Sequence, residues 1–396
     1  MAVSDRPVTV RGMRLLHTSD WHIGRTFHGS STLEALRGVL LELAAAVRRE
    51  HVDVVLVAGD VFDSATPAAA AFELFEEAVL AIREAGATVV MTSGNHDSAA
   101  RLGHQAPFAA AGGVHVVTRV DALDRPVRLA DEHGAVDVFG IPYLEPLLVG
   151  GRTHAEALRT AMDRVRTAVA ARGNRAVVLA HCFASAGVVP KAAGGERDIT
   201  AGGLDVVPAA VFDGTEDAPI AYAALGHLHS RMRLAEHVRY AGAPLHYSFG
   251  ETSPLRGAWL VDLDAHGLRT VTWVDLPVPR RLSEIVGPLA ELLADPGLAD
   301  REQDWVQAVL TDPVRQQDAM AKLRQRFPFV ARLEHRPEGV RPADARSYGE
   351  RTAGLPDAQL IAGFLEHVRA GAGPSDAESS LVAEVLSAVQ AAERAA

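Results

Sequence analysis

Five short stretches place carboxylates, an amide and imidazoles where apolar runs end. MRLLH leads into Thr18-Ser19-Asp20-Trp21-His22, an Asp-x-His; DVVLVAG leads into Asp60-Val61-Phe62-Asp63; ATVVM leads through Thr92 and Ser93 into Gly94-Asn95-His96-Asp97. Further along, AVVLA ends in His181 and IAYAALG in His227-Leu228-His229. Taken singly, each is ordinary turn or capping chemistry, since Gly, Asn and Asp punctuate strands. Five in order are a different matter. The donors are oxygen and nitrogen with no thiolate, a set suited to Mn, Fe or Zn in a reactive site rather than to a structural Cys-zinc site. Asp20, His22, Asp60, Asn95, His181, His227 and His229 are too many for one ion that keeps an open position. Two ions sharing a bridging carboxylate would use them all, and such pairs clamp the attacking and leaving oxygens of a phosphoryl centre.

These residues need a frame that brings five strand ends together. Apolar runs at 13–17, 53–59, 87–94, 135–142, 176–181 and 220–227 alternate with helical patterns such as LEALRGVLLELAAAVRRE and HAEALRTAMDRVRTAVAA. Alternation of β and α predicts a layered α/β domain, whose ligands gather at the carboxyl ends of the strands. GAWLVDLD and LRTVTWVDL, separated by AHG, read as a hairpin expected to close a second sheet. After Pro277 and Pro279 the pattern resets to LSEIVGPLAELLAD, DWVQAVLTD, RQQDAMAKLRQRF and FVARLEH, a helix-strand-helix-strand unit forming a separate small domain. From about Arg341 the chain is looser, and its last segment carries an apolar stripe of Leu381, Val382, Val385, Leu386 and Val389. That stripe must be covered by its own domain or by a partner.

Composition excludes several classes. The 396 residues allow more than one core, and no apolar run approaches the roughly 18 residues of a membrane helix. The N-terminus carries no secretory pattern, so a cytoplasmic address is expected. Cys182, the single cysteine, cannot form an internal disulfide and reads as a small buried side chain. A net charge of -11 argues against holding nucleic acid by a broad basic surface, so a phosphate partner needs metal ions or another subunit.

The order Asp-x-His, Gly-Asp-x-x-Asp, Gly-Asn-His-Asp, His, Gly-His-x-His resembles the calcineurin-like metallophosphoesterase superfamily. HTSDWHIGRTFHG, GDVFDSATP, ERDITAGG, YAGAPLHYSFGE and LTDPVRQQDAMAKLRQRFP resemble its SbcD branch, nuclease subunits of bacterial SbcCD DNA-repair complexes, over about residues 13–340. The resemblance implies an α/β four-layer sandwich, two mixed β-sheets flanked by helices, over residues 12–276. It implies a small α+β DNA-capping domain over 277–340 and, over 341–396, C-terminal helices that dock on an SbcC-like ATPase. By the same resemblance, Asp20, His22 and His229 hold one metal, Asn95, His181 and His227 hold a second, and Asp60 bridges them. His96 becomes the catalytic histidine acting on the scissile phosphate or leaving oxygen, and Asp63 the carboxylate that orients it. Water activated by both cations attacks phosphorus, so no side-chain nucleophile is needed.

The family also implies manganese, ATP-stimulated exonuclease action on duplex ends, endonuclease action on hairpins and single strands, and a homodimer within a heterotetramer. Two other readings stay open: a phosphodiesterase of small nucleotides or phosphoesters, and a scaffold with a decayed site. The first would lack a cap and docking helices, and the second would have lost a ligand. Of the remaining residues, Gly94 is expected to let the chain turn, Asp97 to brace the loop and His17 to be a core residue. His28, His104 and His246 are not placed by spacing, while Arg25 and Arg256 are either solvated or meet DNA phosphate.

Overall fold

The computed structural model describes residues 11–187, 206–251, 253–337, 355–369 and 372–395. ERDITAGG and the first part of the looser stretch, residues 341–354, lie outside them. The chain divides into two compact units, Met1–Pro279 and Arg280–Ala396.

The first unit is built on two six-stranded sheets. Its longer strands are β1 (Arg14–Thr18), β2 (Val54–Ala58), β3 (Thr88–Thr92), β4 (Val114–Val117), β5 (Val127–Asp131) and β6 (Gly134–Ile141). They continue with β7 (Arg175–His181), β8 (Ile220–Gly226), β9 (Val238–Tyr240), β10 (Gly257–Asp264) and β11 (Gly267–Asp275). One sheet runs β11-β10-β1-β2-β3-β4; the other runs from the short strand Met232–Arg233 through β9-β8-β7-β6-β5. Both are mixed: the second has antiparallel edges on both sides, while the first is antiparallel only on its β11-β10-β1 side and ends in a parallel β3-β4 pair.

The central strands are buried on both faces, which is why β2 reads VVLVA with no polar interruption. Leu56, Ala58 and Val90 meet Val177, Leu179 and Ala224 between the two sheets. Helix Leu33–Arg49 buries Leu36, Val39, Leu40, Leu43 and Val47 against the outer face of the first sheet. Helix His154–Arg172 does the same for the second with Leu158, Met162 and Val165. Thr153 caps its start by accepting from the Glu156 amide at 3.1 Å, and Gly173, at φ 65°, ends it. The layers are therefore helix, sheet, sheet, helix. Each buried Val or Leu contributes about 1.5–3 kcal/mol, so the strand ends stand on a rigid platform.

The hairpin β10–β11 does not close a second sheet, as its pattern suggested. It extends the first one, with β10 antiparallel to β1 in the register Leu16↔Leu260 and His17↔Trp259. The reason is burial: β10 has Ala258 and Leu260 in one core and Trp259 and Val261 in the other, which only an internal strand position provides.

The second unit also departs from expectation. LSEIVG is a strand, Leu282–Gly287, and the helix begins only after Pro288, over Leu289–Ala294. It pairs in parallel with Trp305–Leu310, which pairs in parallel with Val330–His335, and helix Ala319–Arg326 lies between the last two in sequence. Ile285, Leu289, Leu292, Val306, Leu323 and Phe327 form their core. Helices Asp357–Val368 and Asp376–Ala395 follow, joined by a bidentate pair between Arg369 and Glu378 at 2.7 and 2.9 Å. Leu381, Val385 and Val389 remain about half exposed, at 59%, 52% and 47%, while Val382 and Leu386 are half-buried, so the described residues cover the stripe only in part. Among the described residues no helix is long and apolar enough to cross a membrane.

Candidate metal centre

Strands β1, β2, β3, β7 and β8 end on the same side of the first unit, and the turns after them lock together through main-chain bonds. The Asp20 amide donates to Gly59 O at 3.1 Å, His22 to Asp60 O at 2.9 Å, and Asp63 to Ile23 O at 3.2 Å. Close packing of these turns explains the glycines. A Cβ on Gly59 would lie 2.4 Å from His181 Nδ1, and one on Gly94 would lie 2.1 Å from Asp60 Oδ1. Gly94 is thus needed for close approach to Asp60, not for a left-handed turn. Four of the non-glycine residues with positive φ are donors at this site: Asp20 at 53°, His22 at 44°, Asp60 at 47° and His227 at 110°. Such strain persists only where the surroundings impose it, and it concentrates at functional sites.

The structure brings all seven expected donors together. His22 Nε2 and His229 Nε2 are 3.1 Å apart, and Asp20 offers a carboxylate oxygen within 4.8 Å of a ring nitrogen on each. Asn95 Oδ1 lies 3.0 Å from His181 Nε2 and 3.1 Å from His227 Nδ1. Between the two groups, Asp60 Oδ2 is 3.5 Å from His22 Nε2 and 3.4 Å from His181 Nε2. Asp60 Oδ1 accepts from the His96 amide at 2.8 Å.

The hydrogen-bond network makes this a cation site. His22 turns Nδ1 to Asp63 Oδ1 at 3.2 Å, His229 turns Nδ1 to Glu251 Oε1 at 2.9 Å, and His181 turns Nδ1 to Ala58 O at 2.9 Å. With Nδ1–H donating in His22 and His229, their Nε2 atoms present bare lone pairs to one another, 3.1 Å apart. Lone pairs 3 Å apart, beside the Asp60 carboxylate and the Asn95 carbonyl, repel unless a positive charge lies among them. The charge balance agrees. Burial pushes the Asp20 carboxyl up to about 7, against the pull of His181 and His229. Burial also holds His22 down to about 4 and His227 down to about 3, the neutral form that binds a cation. His181 behaves differently: burial opposes its charge, but the Asp60 and Asp20 carboxylates raise it to about 9, so a proton fills the place a cation would take.

Asp97 braces the loop from below, accepting from Val61 N at 3.1 Å, Phe62 N at 2.9 Å and Gly94 N at 2.9 Å. Asp97→Ala leaves three buried donors unpaired, at about 1–3 kcal/mol each before water enters. The expected result is a clear fall in the melting temperature of the metal-free protein, with Asp97→Asn falling less; equal melting of all three proteins would refute the bracing role.

Asp63 meets His96 chiefly through its main chain, where a carboxylate contact was expected. The group bonded to His96 Nδ1 is the Asp63 main-chain carbonyl, at 2.9 Å; its carboxylate is 3.8 Å away and lies nearer His22 and Arg25 Nη1, the latter at 3.1 Å. Arg25 lies at the site, with its guanidinium 5.1 Å from the centre of the Tyr247 ring. Arg256 is buried and donates to His229 O and Glu251, so it does not meet DNA. His17 is a core residue, bonded to Tyr222 Oη at 3.0 Å and Leu225 O at 3.1 Å. Cys182 is buried and free. Tyr247 and Glu251 join the site without following any ligand spacing; their only trace in the sequence is the stretch YAGAPLHYSFGE.

Comparison with known proteins follows the same lines. The calcineurin-like phosphoesterase family matches residues 13–174, and the SbcD C-terminal family, described as a type 5 capsule protein repressor C-terminal domain, matches residues 278–369. The SbcD subunit of the nuclease SbcCD from Rhodobacter capsulatus is 36% identical over 310 residues, covering 71% of this chain and 75% of the relative. The chain belongs to the SbcD family. The SbcD protein of Escherichia coli is 30% identical, covering 71% of this chain and 73% of its own, and that of Staphylococcus epidermidis is 25% identical over 82% and 85%. SbcD membership accounts for both units: the first carries the phosphoesterase fold, and the second the SbcD C-terminal match.

Proposed function

We propose that this chain is the metal-dependent nuclease subunit of an SbcCD-type complex, cutting DNA phosphodiesters together with an SbcC-like ATPase. The observation that carries the reading is the convergence of His22, His229 and His181 ring nitrogens around Asp60, in a chain whose relatives are named nuclease subunits. Asp20, His22 and His229 would hold one divalent cation and Asn95, His181 and His227 the other, with Asp60 shared. Bound there, the two cations neutralise phosphate charge and lower the pKa of the attacking water. Manganese is the proposed metal on the strength of the family resemblance; the carboxylate, amide and imidazole donors admit it alongside iron and zinc.

The chain's own groups do the rest. His96 is held by the Asp63 carbonyl with Nδ1–H donating; when the ring carries a second proton, its Nε2–H would contact the phosphate or pass that proton to the leaving oxygen, leaving a neutral ring. The Asp63 carboxylate fixes the ring of His22, and Arg25, beside it, adds positive charge at the rim. With a net charge of -11 the chain gains from a partner that supplies basic surface, and the exposed Leu381, Val385 and Val389 give an apolar face for the ATPase to cover. We assign two copies of this chain to a heterotetramer with two ATPase subunits, acting in the cytoplasm. A small phosphoester substrate is disfavoured because it would leave the second unit and that face without a role.

The test is cleavage of a labelled DNA hairpin and a duplex end by protein stripped with chelator, then supplied with manganese, with and without the ATPase and ATP. The expected result is no cutting without metal, cutting with manganese, and stimulation by ATP and the partner. Hydrolysis of a small phosphodiester with no DNA cleavage under any condition would overturn the assignment.

A further inference from the structure

We infer that Glu251 is a positioning residue for the metal centre, acting through His229 and secured by Arg256. Glu251 lies outside every metal-ligand motif, yet it is 1% exposed, and a buried carboxylate survives only where each oxygen is paired. Its Oε1 accepts from His229 Nδ1 at 2.9 Å and from the Tyr247 amide at 3.2 Å; its Oε2 accepts from Arg256 Nη2 at 2.6 Å. Arg256 in turn donates through Nη1 to the main-chain carbonyl of His229 at 2.5 Å. The pair therefore grips His229 at both ends, ring and backbone. Tyr247 extends the grip: its hydroxyl donates to Trp21 O at 2.5 Å, and its ring lies 5.4 Å from that of His22 and 5.8 Å from that of His229.

The chemical consequence concerns one nitrogen. With Nδ1–H committed to Glu251, His229 cannot take the other tautomer, so Nε2 keeps its lone pair toward His22 and Asp20. Because Arg256 balances the Glu251 charge locally, the effect is on ring tautomer and direction more than on net field. The partners of Glu251 are His229, Tyr247 and Arg256 rather than Asn95, His181 or His227, so its influence belongs to one half of the centre.

The inference rests on the two-cation reading and is tested apart from nuclease activity. Chelator-stripped wild type, Glu251→Ala and Glu251→Gln are titrated with manganese by calorimetry, with free manganese counted by electron paramagnetic resonance and metal-free melting recorded alongside. Wild type is expected to take two ions. Glu251→Ala is expected to weaken one of them by about 10–100-fold and leave the other unchanged, the usual cost of removing a group that orients a metal-bound histidine. Glu251→Gln keeps an acceptor oxygen for His229 but offers its amide N–H toward Arg256, so its loss is expected to be smaller and confined to the same ion. If Glu251→Ala does not fold, Glu251→Gln decides alone. Two ions bound by Glu251→Gln as tightly as by wild type, or both ions weakened equally, would overturn the positioning role. Fewer than two ions on wild type would overturn the two-cation reading, and the inference with it.

Discussion

Asp60→Asn is expected to bring DNA cleavage down by about 10²–10⁴-fold and to lower manganese occupancy of both halves of the centre together. Asp60 Oδ2 lies 3.5 Å from a nitrogen of one group of donors and 3.4 Å from a nitrogen of the other, so it is the residue placed to serve two cations at once. Removing its charge leaves buried cations without their shared counter-charge, a loss of about 3–5 kcal/mol, which corresponds to that range in occupancy. The fold should survive. The His96 amide donates to Asp60 Oδ1, and the asparagine carbonyl can accept the same bond. The check is metal content of the isolated variant by mass spectrometry, with cleavage measured over a rising manganese series. Partial recovery at high manganese fits a weakened centre; full occupancy of both ions with activity lost would move Asp60 from metal bridge to some other role.

The donors were legible because each directly follows an apolar strand, and a strand's end in this layered fold is fixed by the core beneath it. What lay beyond local pattern was harder to read. Leu282, Ile285, Leu289 and Leu292 recur at three and four residues, which imitates a helix across a strand and a turn; Pro288 was the signal that the pattern is broken. The hairpin was visible from its turn, but its sheet was not, because joining β1 depends on cores contributed by residues from the far end of the unit. At the site, Gly94 read as a turn residue, and only the neighbouring Asp60 side chain reveals that space is what it supplies. Asp63 shows the same limit: spacing places it near His96, but whether its carboxylate or its carbonyl makes the contact is a matter of backbone path. Glu251 and Arg256 follow no ligand spacing at all, since they reach His229 across 22 and 27 residues.

His96→Ser is expected to cut DNA cleavage by about 10²–10⁴-fold, the usual span for a positioned proton-transfer group, while both manganese ions stay bound. The separation of the two effects follows from geometry. His96 Nδ1 is taken by the Asp63 carbonyl, and its ring meets His22 edge-on at 4.7 Å; its amide, which serine retains, makes the bond to Asp60. Calorimetric titration with manganese should therefore match wild type, and a shared loss of metal would show that the ring supports the ligands instead. The two chemical roles of His96 can also be told apart. A nucleotide p-nitrophenyl diester carries a leaving group acidic enough to depart without a proton, so the serine variant should recover most of its rate on it if His96 protonates the leaving oxygen. If the defect on that ester is as large as on DNA, His96 acts on the phosphate itself, stabilising charge as it builds on the non-bridging oxygens.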